Sequence, residues 1–190
     1  MMRNFKILVT VLGVLIVVYF MNTNSQNQLL SKSDQAIIID KHQIKKILIQ
    51  QDGDALELVK NDTLWTISGN DTLIIKSRSI DDFFNKVLEI KKETIISENP
   101  EKYATYSIDD STGTHLALID SLDKTIGYYI FGKSKSDYSR SYIRIKEDPN
   151  VYLADQNVIY MLSTRPTYWG ETAQQENNQI PQSPSLKSNN

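Results

Sequence analysis

From Ile44 onward the apolar residues of this chain fall in short groups that alternate with polar residues and are separated by turn-forming clusters. Ile47 and Ile49 alternate within Ile44 to Gln51, Asp52-Gly53 follows, and Leu56 and Leu58 alternate in the return segment. A two-residue Asp-Gly break between alternating segments predicts a tight β-hairpin. Asn61-Asp62-Thr63 predicts the next turn, and Leu64-Trp65-Thr66-Ile67 a third strand. The tetrapeptide NDTL recurs at Asn70 to Leu73. Both copies match a glycosylation sequon, but turn chemistry accounts for them more simply, because Asn and Asp tolerate turn geometry and bond their own backbone.

The period then changes. Ile80, Phe83, Phe84, Val87 and Leu88 fall at helical spacing and define one apolar face. Ser79 is the expected cap, with Asp81 and Asp82 in the first turn, where the helix dipole favours anions. Glu93 to Ser97 predicts another strand, and Asn99-Pro100-Glu101-Lys102-Tyr103 a short helical turn opened by proline.

The second half returns to strands. His115 to Asp120 and Thr125 to Phe131 predict a hairpin around Ser121 to Lys124, and Gly132 to Asp137 a polar loop. In the strand Arg140 to Lys146, Ile143 and Ile145 point one way, and Arg140, Tyr142, Arg144 and Lys146 the other. After the turn Glu147-Asp148-Pro149-Asn150, Val151 and Leu153 are expected to join the inward isoleucines, and Tyr152 the polar face. Asp155 is the expected cap of a last helix through Leu162. Short meanders with two or three short helices predict an α+β domain rather than βαβ units.

Both ends differ from this middle. Arg3 and Lys6 precede the uncharged run Ile7 to Met21. At about 1.5 Å per residue it spans roughly 22 Å, short of a hydrocarbon core of roughly 30 Å. Phe5, a snorkelling Lys6 and interfacial Tyr19 extend its reach. A secretory signal peptide also begins with charge and an apolar run, but the run ends in YFMNTNSQ without an A-x-A cleavage site. This favours an uncleaved signal anchor, a transmembrane helix over residues 1–21. The preceding positive charge would keep the N-terminus in the cytoplasm and send the rest across the membrane. Residues 22–35 are mostly polar and predict a tether. A single domain is expected over 36–171. Residues 172–190, with two prolines and few apolar side chains, predict a disordered tail.

Composition narrows the function. The 190 residues carry a net charge of −2, so a nucleic-acid partner is not expected. The chain has no cysteine, which excludes disulfides, zinc-thiolate sites and a cysteine nucleophile. His42 and His115 are the only histidines and do not form a metal-ligand spacing. Asp52, Asp54 and Glu57 fit a hairpin better than a calcium loop. Gly132-Lys133-Ser134 lacks the earlier glycine and the following helix of a phosphate loop, and no serine lies in G-x-S-x-G. No catalytic, cofactor or metal residues are therefore expected.

Several of these segments, in order, resemble the family called domain of unknown function 4340. They are the meander ending at Trp65, the helix Ile80 to Ile90, and Asn99-Pro100-Glu101-Lys102-Tyr103-Ala104-Thr105-Tyr106-Ser107-Ile108-Asp109. Phe131-Gly132-Lys133-Ser134, Tyr142-Ile143-Arg144, Val151-Tyr152 and Trp169 complete the likeness, which covers Ile44 to Glu171. Ser107 stands where the family pattern has glycine, which puts that turn's geometry in question, and Gly170-Glu171 replaces a basic-acidic pair. The resemblance implies a membrane-anchored bacterial protein, in some cases beside components of ABC transporters.

Two functions fit. One is a non-enzymatic accessory protein whose external domain binds an envelope protein through Arg140, Tyr142, Arg144 and Tyr152, residue types enriched at interfaces. A half-buried hairpin explains the same four residues without a partner. The other is an enzyme or ligand-binding domain acting on cell-surface material, which requires a concave site with convergent polar groups.

Overall fold

A computed structural model describes residues 34–172, residues 136 and 147 excepted. The expected anchor over 1–21, nearly all of the tether over 22–35 and the tail beyond Thr172 lie outside those residues.

Residues from Ala36 to Thr172 form a compact α+β unit built on one large antiparallel sheet. Its strands are β1 (Lys46–Gln51), β2 (Asp54–Asn61), β3 (Leu64–Ile67), β5 (Lys92–Ser97), β6 (Thr114–Ile119), β7 (Thr125–Lys133), β8 (Ser141–Ile145) and β9 (Val151–Ala154). They lie in the order β3-β2-β1-β6-β7-β8-β9-β5. Two meanders, β1 to β3 and β6 to β9, thus join through β1 and β6. Asp52 and Gly53 both take positive φ, +53° and +86°, the backbone demanded by the two-residue turn between β1 and β2.

The register places the apolar residues in a continuous stripe. Ile47 faces Leu58 and Leu118, Ile49 faces Leu56 and Leu116, Leu116 faces Tyr129, and Phe131 faces Ile143. All are buried, and they form the main core. Each fully buried side chain of this size contributes roughly 1.5–3 kcal/mol.

A helix, α1 (Ser77–Asp82), continues into a π-helical turn, Phe83–Val87, and buries Ile80, Phe83 and Val87 against that stripe. The helical period is therefore as expected, but the start is not. Lys76 occupies the cap position without a capping side-chain bond, its Nζ donating instead to the Thr167 carbonyl at 2.7 Å, and Ser79 Oγ donates to the Tyr168 carbonyl at 3.1 Å. Asp82 is thereby moved out of the first turn and pairs with Lys86 at 2.8 Å, which holds its carboxyl below the usual range. The π turn carries the Leu88 N–H to the Phe83 carbonyl at 3.2 Å, setting Phe83 edge-on to Phe84 while Phe84 reaches Trp65.

The expected helix from Asp155 to Leu162 is replaced by bends and a 3-10 turn at Ile159–Met161. Asp155 does not cap it. Its carboxylate accepts from the Lys91 N–H at 2.9 Å, clamping β9 to the start of β5. Val158 holds the cap position without a side-chain bond, and Asn157 just before it accepts from the Ile159 N–H at 3.1 Å. A short helix, α2 (Pro166–Trp169), follows, and β10 (Gly170–Thr172) pairs with β4 (Leu73–Ile75) in a separate two-stranded sheet. Trp169 is fully buried, lies against Phe83 and donates its indole N–H to the Ser163 carbonyl at 2.7 Å.

The opposite face of β6 to β9 is covered as well. The 3-10 helix Pro100–Tyr106, opened by Asn99 accepting from the Glu101 N–H, lies over it with Ile108. A small second core results from Ile108, Ile130 and Val151, flanked by Tyr103, Tyr106, Tyr128 and Tyr142. Gly132 permits this approach, because a Cβ there would sit 2.1 Å from the Tyr106 carbonyl oxygen.

Candidate functional site

The four residues expected to form one outward patch do not share a face. Tyr152 pairs with Ile143, whereas Arg144 pairs with Val151 and Tyr142 with Leu153. Directly paired residues project to the same side, so the β8–β9 connection shifts the expected register by one and turns Tyr152 toward the main core. Val151 correspondingly joins the second core. Alternation could not reveal this, because both faces of the sheet are covered here and both accept apolar side chains.

Each of the four is also engaged within the domain. Arg140 pairs with Glu93 and, at 3.3 Å, with Asp137, linking β5 to the loop before β8. Tyr142 packs edge-on against Tyr106 at 5.0 Å. Arg144 donates to the Ile108 carbonyl at 3.2 Å and to Asp110 at 2.9 Å, and its side chain is 13% exposed. Tyr152 donates to Asp148 at 2.6 Å, and burial together with that carboxylate raises its phenol above the ordinary value. His115 lies buried on the Arg144 side, with Nδ1 2.6 Å from the Tyr128 hydroxyl, while His42 sits in an exposed turn.

The structure draws attention to two concave surfaces instead. The first is a cleft of about 380 Å³ between β3, β4 and α1. Thr63 to Thr66 form one wall and Leu73 to Ile75 the other, with Ser77, Ile80 and Asp81 beneath. Leu64 is 73% exposed and Ile74 51%, so large apolar side chains flank it in the open. β3 is also the outer strand of the large sheet, and among the described residues its far side carries only the isolated bridge between Ile67 and Asn70.

The two outer edges of the sheet differ. β5 carries Lys92 and Glu93 and has two register irregularities against β9, features that discourage another strand from pairing. β3 is LWTI, with no charge, no proline and no irregularity against β2. Exposed apolar edges with unsatisfied backbone groups are sites of strand addition. Sequence alternation identified β3 as a strand but not as an edge.

The second concavity is a groove of about 520 Å³ made by the β1–β2 turn, the end of β7 with its following loop, and the Asn157 to Arg165 segment. Asp52 and Asp54 line it together with Lys133, Ser134, Tyr138, Tyr160 and Arg165. Lys133 and Ser134 belong to the Phe131-Gly132-Lys133-Ser134 motif, in which Gly132 is required by packing and the next two residues border the groove.

No curated protein and no solved structure matches the chain. A family model described as a domain of unknown function, DUF4340, matches residues 65–180, a span that holds β5 to β9 and the second core, while β1 and β2 with their share of the main core precede it. The matched span is more than half of the chain, and the protein belongs to the DUF4340 family.

Proposed function

We propose that this protein is a membrane-anchored, extracytoplasmic accessory protein that binds an envelope protein, in the manner of a subunit associated with an ABC-type transporter. The observation that carries the binding role is the contrast between the sheet edges: β5 is guarded by charge and irregular pairing, and β3 is open, apolar and bordered by a cleft. An extended segment with alternating apolar residues would add to β3 and place side chains against Leu64, Trp65 and Ile74. The anchor rests on the uncharged run Ile7 to Met21 behind Arg3 and Lys6. Among the described residues no helix is long and apolar enough to cross a membrane, and that run lies outside them.

The test is crosslinked recovery of the full chain from native membranes in mild detergent, read by mass spectrometry. Stoichiometric envelope subunits should accompany the wild type and disappear with the double variant Leu64→Lys, Ile74→Lys. Both positions are exposed, so circular dichroism and melting should not change. Recovery of the protein alone, or retention of the partner by the double variant, would overturn the proposal.

A further inference from the structure

The groove between the β1–β2 turn and the Asn157 to Arg165 segment has a different character from the strand-edge cleft. We propose that it is a binding site for a neutral oligosaccharide chain. The inference does not depend on the strand-edge reading and concerns other residues.

Charge is the first consideration. The lining holds two carboxylates, Asp52 and Asp54, and two cations, Lys133 and Arg165. Among the described residues neither Lys133 nor Arg165 takes part in a salt bridge, and both are exposed. A polyanion would meet Asp52 and Asp54, and a polycation would meet Lys133 and Arg165. A ligand rich in hydroxyl groups satisfies both signs, because each hydroxyl donates to a carboxylate and accepts from a cation.

Aromatic placement is the second. Tyr138 is 83% exposed and Tyr160 63%, an unusual position for two tyrosines on one groove. The C–H face of a pyranose ring is apolar while its rim carries hydroxyls, so a flat tyrosine ring with a polar tip suits it. The loop bearing Tyr138 is tied to the groove wall, since Asn157 Nδ2 donates to the Tyr138 carbonyl at 3.0 Å. Ser163 likewise holds the loop before Arg165, accepting from its N–H at 3.2 Å. Both rims are thus positioned before a ligand arrives, which reduces the ordering cost of binding.

Shape is the third. The groove's walls are the ends of β1, β2 and β7 with turns and loops, and all three strands are inner strands of the sheet, so it lacks the open backbone ladder that would hold an extended peptide. Ile159 is its one aliphatic residue, which disfavours a lipid or an apolar helix.

Titration calorimetry of the full chain in detergent micelles tests the proposal. The probes are the neutral cellohexaose, hexa-N-acetylchitohexaose and maltohexaose, with hexaglutamate, hexalysine and an uncharged hexapeptide as comparisons. At least one hexaose should bind, and Tyr138→Ala and Tyr160→Ala should each weaken it by about tenfold or more, a change corresponding to about 1.4 kcal/mol. Arg165→Ala should weaken it too, and Leu64→Lys should leave it unchanged. Because Tyr138, Tyr160 and Arg165 are exposed, melting temperatures should stay at the wild-type value. No binding of any hexaose at millimolar concentration would overturn the proposal. So would binding indifferent to both tyrosines, or preferential binding of a charged or peptide probe.

Discussion

Arg144 lies over the ring of Tyr103, its guanidinium carbon 4.4 Å from the ring centroid, and so fastens the Pro100–Tyr106 helix to the face of β8. The same side chain donates to the Ile108 carbonyl, while Tyr103 donates its hydroxyl to the Pro149 carbonyl at 2.8 Å. One cation and one phenol therefore join three segments.

Arg144→Ala should destabilise the domain by about 2–3 kcal/mol, combining a lost charged hydrogen bond with a lost cation–π contact. The bond to Asp110 contributes little to that figure, because the Asp110 side chain is 89% exposed. Arg144→Lys should recover only part of the loss, since an ammonium cannot reproduce both the guanidinium's stacking and its fork of donors. Urea denaturation of the three proteins measures this. A variant within about 0.5 kcal/mol of wild type would show that the contact is not structural.

Tyr152→Phe should cost about 1 kcal/mol, because it removes only the hydroxyl bonded to Asp148. Tyr152→Ala should cost distinctly more, since the ring packs against the main core and lies under Lys92 at 4.7 Å. Equal losses in the two variants would place the ring's contribution near zero. Thermal melts at constant pH resolve the difference.

Ser107 adopts φ +53° and ψ +43° at the end of the Pro100–Tyr106 helix, the left-handed conformation usual for glycine. The turn therefore holds a side-chain-bearing residue in a strained conformation. Left-handed geometry costs an L-residue roughly 1–2 kcal/mol, partly offset by glycine's larger unfolded-state entropy. Ser107→Gly should raise stability by up to about 1 kcal/mol, and Ser107→Val should lower it. A decrease with glycine in denaturant titration would contradict this account.

Asp109 accepts bonds from the hydroxyls of Ser111 and Thr112, and then from their backbone N–H groups, which hold its carboxyl well below the usual range. The folded-state value is depressed, so its stabilising contribution is complete above the unfolded value of about 3.9 and is lost as pH falls from there toward the folded value. Asp109→Asn should reduce stability at pH 7 and flatten its decline between about pH 4 and pH 2.5. The effect should be small, because the carboxylate is close to solvent. A wild-type slope no steeper than the variant's in that interval would remove Asp109 from the acid response.

Much of the local structure was legible in sequence because it depends on neighbours along the chain. Asp52-Gly53 supplies the positive φ values of its turn, and Asn99-Pro100 opens its helix. Ile80, Phe83 and Val87 bury one face because helical spacing brings them together. The start of α1 was not legible, because Ser79 bonds to Tyr168, 89 residues away, and a distant carbonyl leaves no mark near the serine. Nor was the role of Asp155, whose partner Lys91 lies 64 residues earlier.

The candidate sites divide on the same principle. Alternation placed Arg144 and Tyr152 on strands, but the pairing of β8 with β9 put them on opposite faces, and a one-residue register shift reverses a whole strand. The turn at Asp52-Gly53 and the motif ending Lys133-Ser134 were both visible in the sequence, yet only the sheet brings them to one groove. What the sequence by itself determined is most of the strands of the large sheet, their turns and the helix at Ile80 to Val87, together with the charged start and apolar run before them, since each follows from local backbone preference and hydrophobic period. The short pair β4 and β10 and the Pro166–Trp169 helix did not show in it, and the helix expected from Asp155 to Leu162 did not form. What only the tertiary structure decided is which strand became an open edge, which face each side chain met and which loops converged, because those follow from long-range pairing, where local propensity is silent.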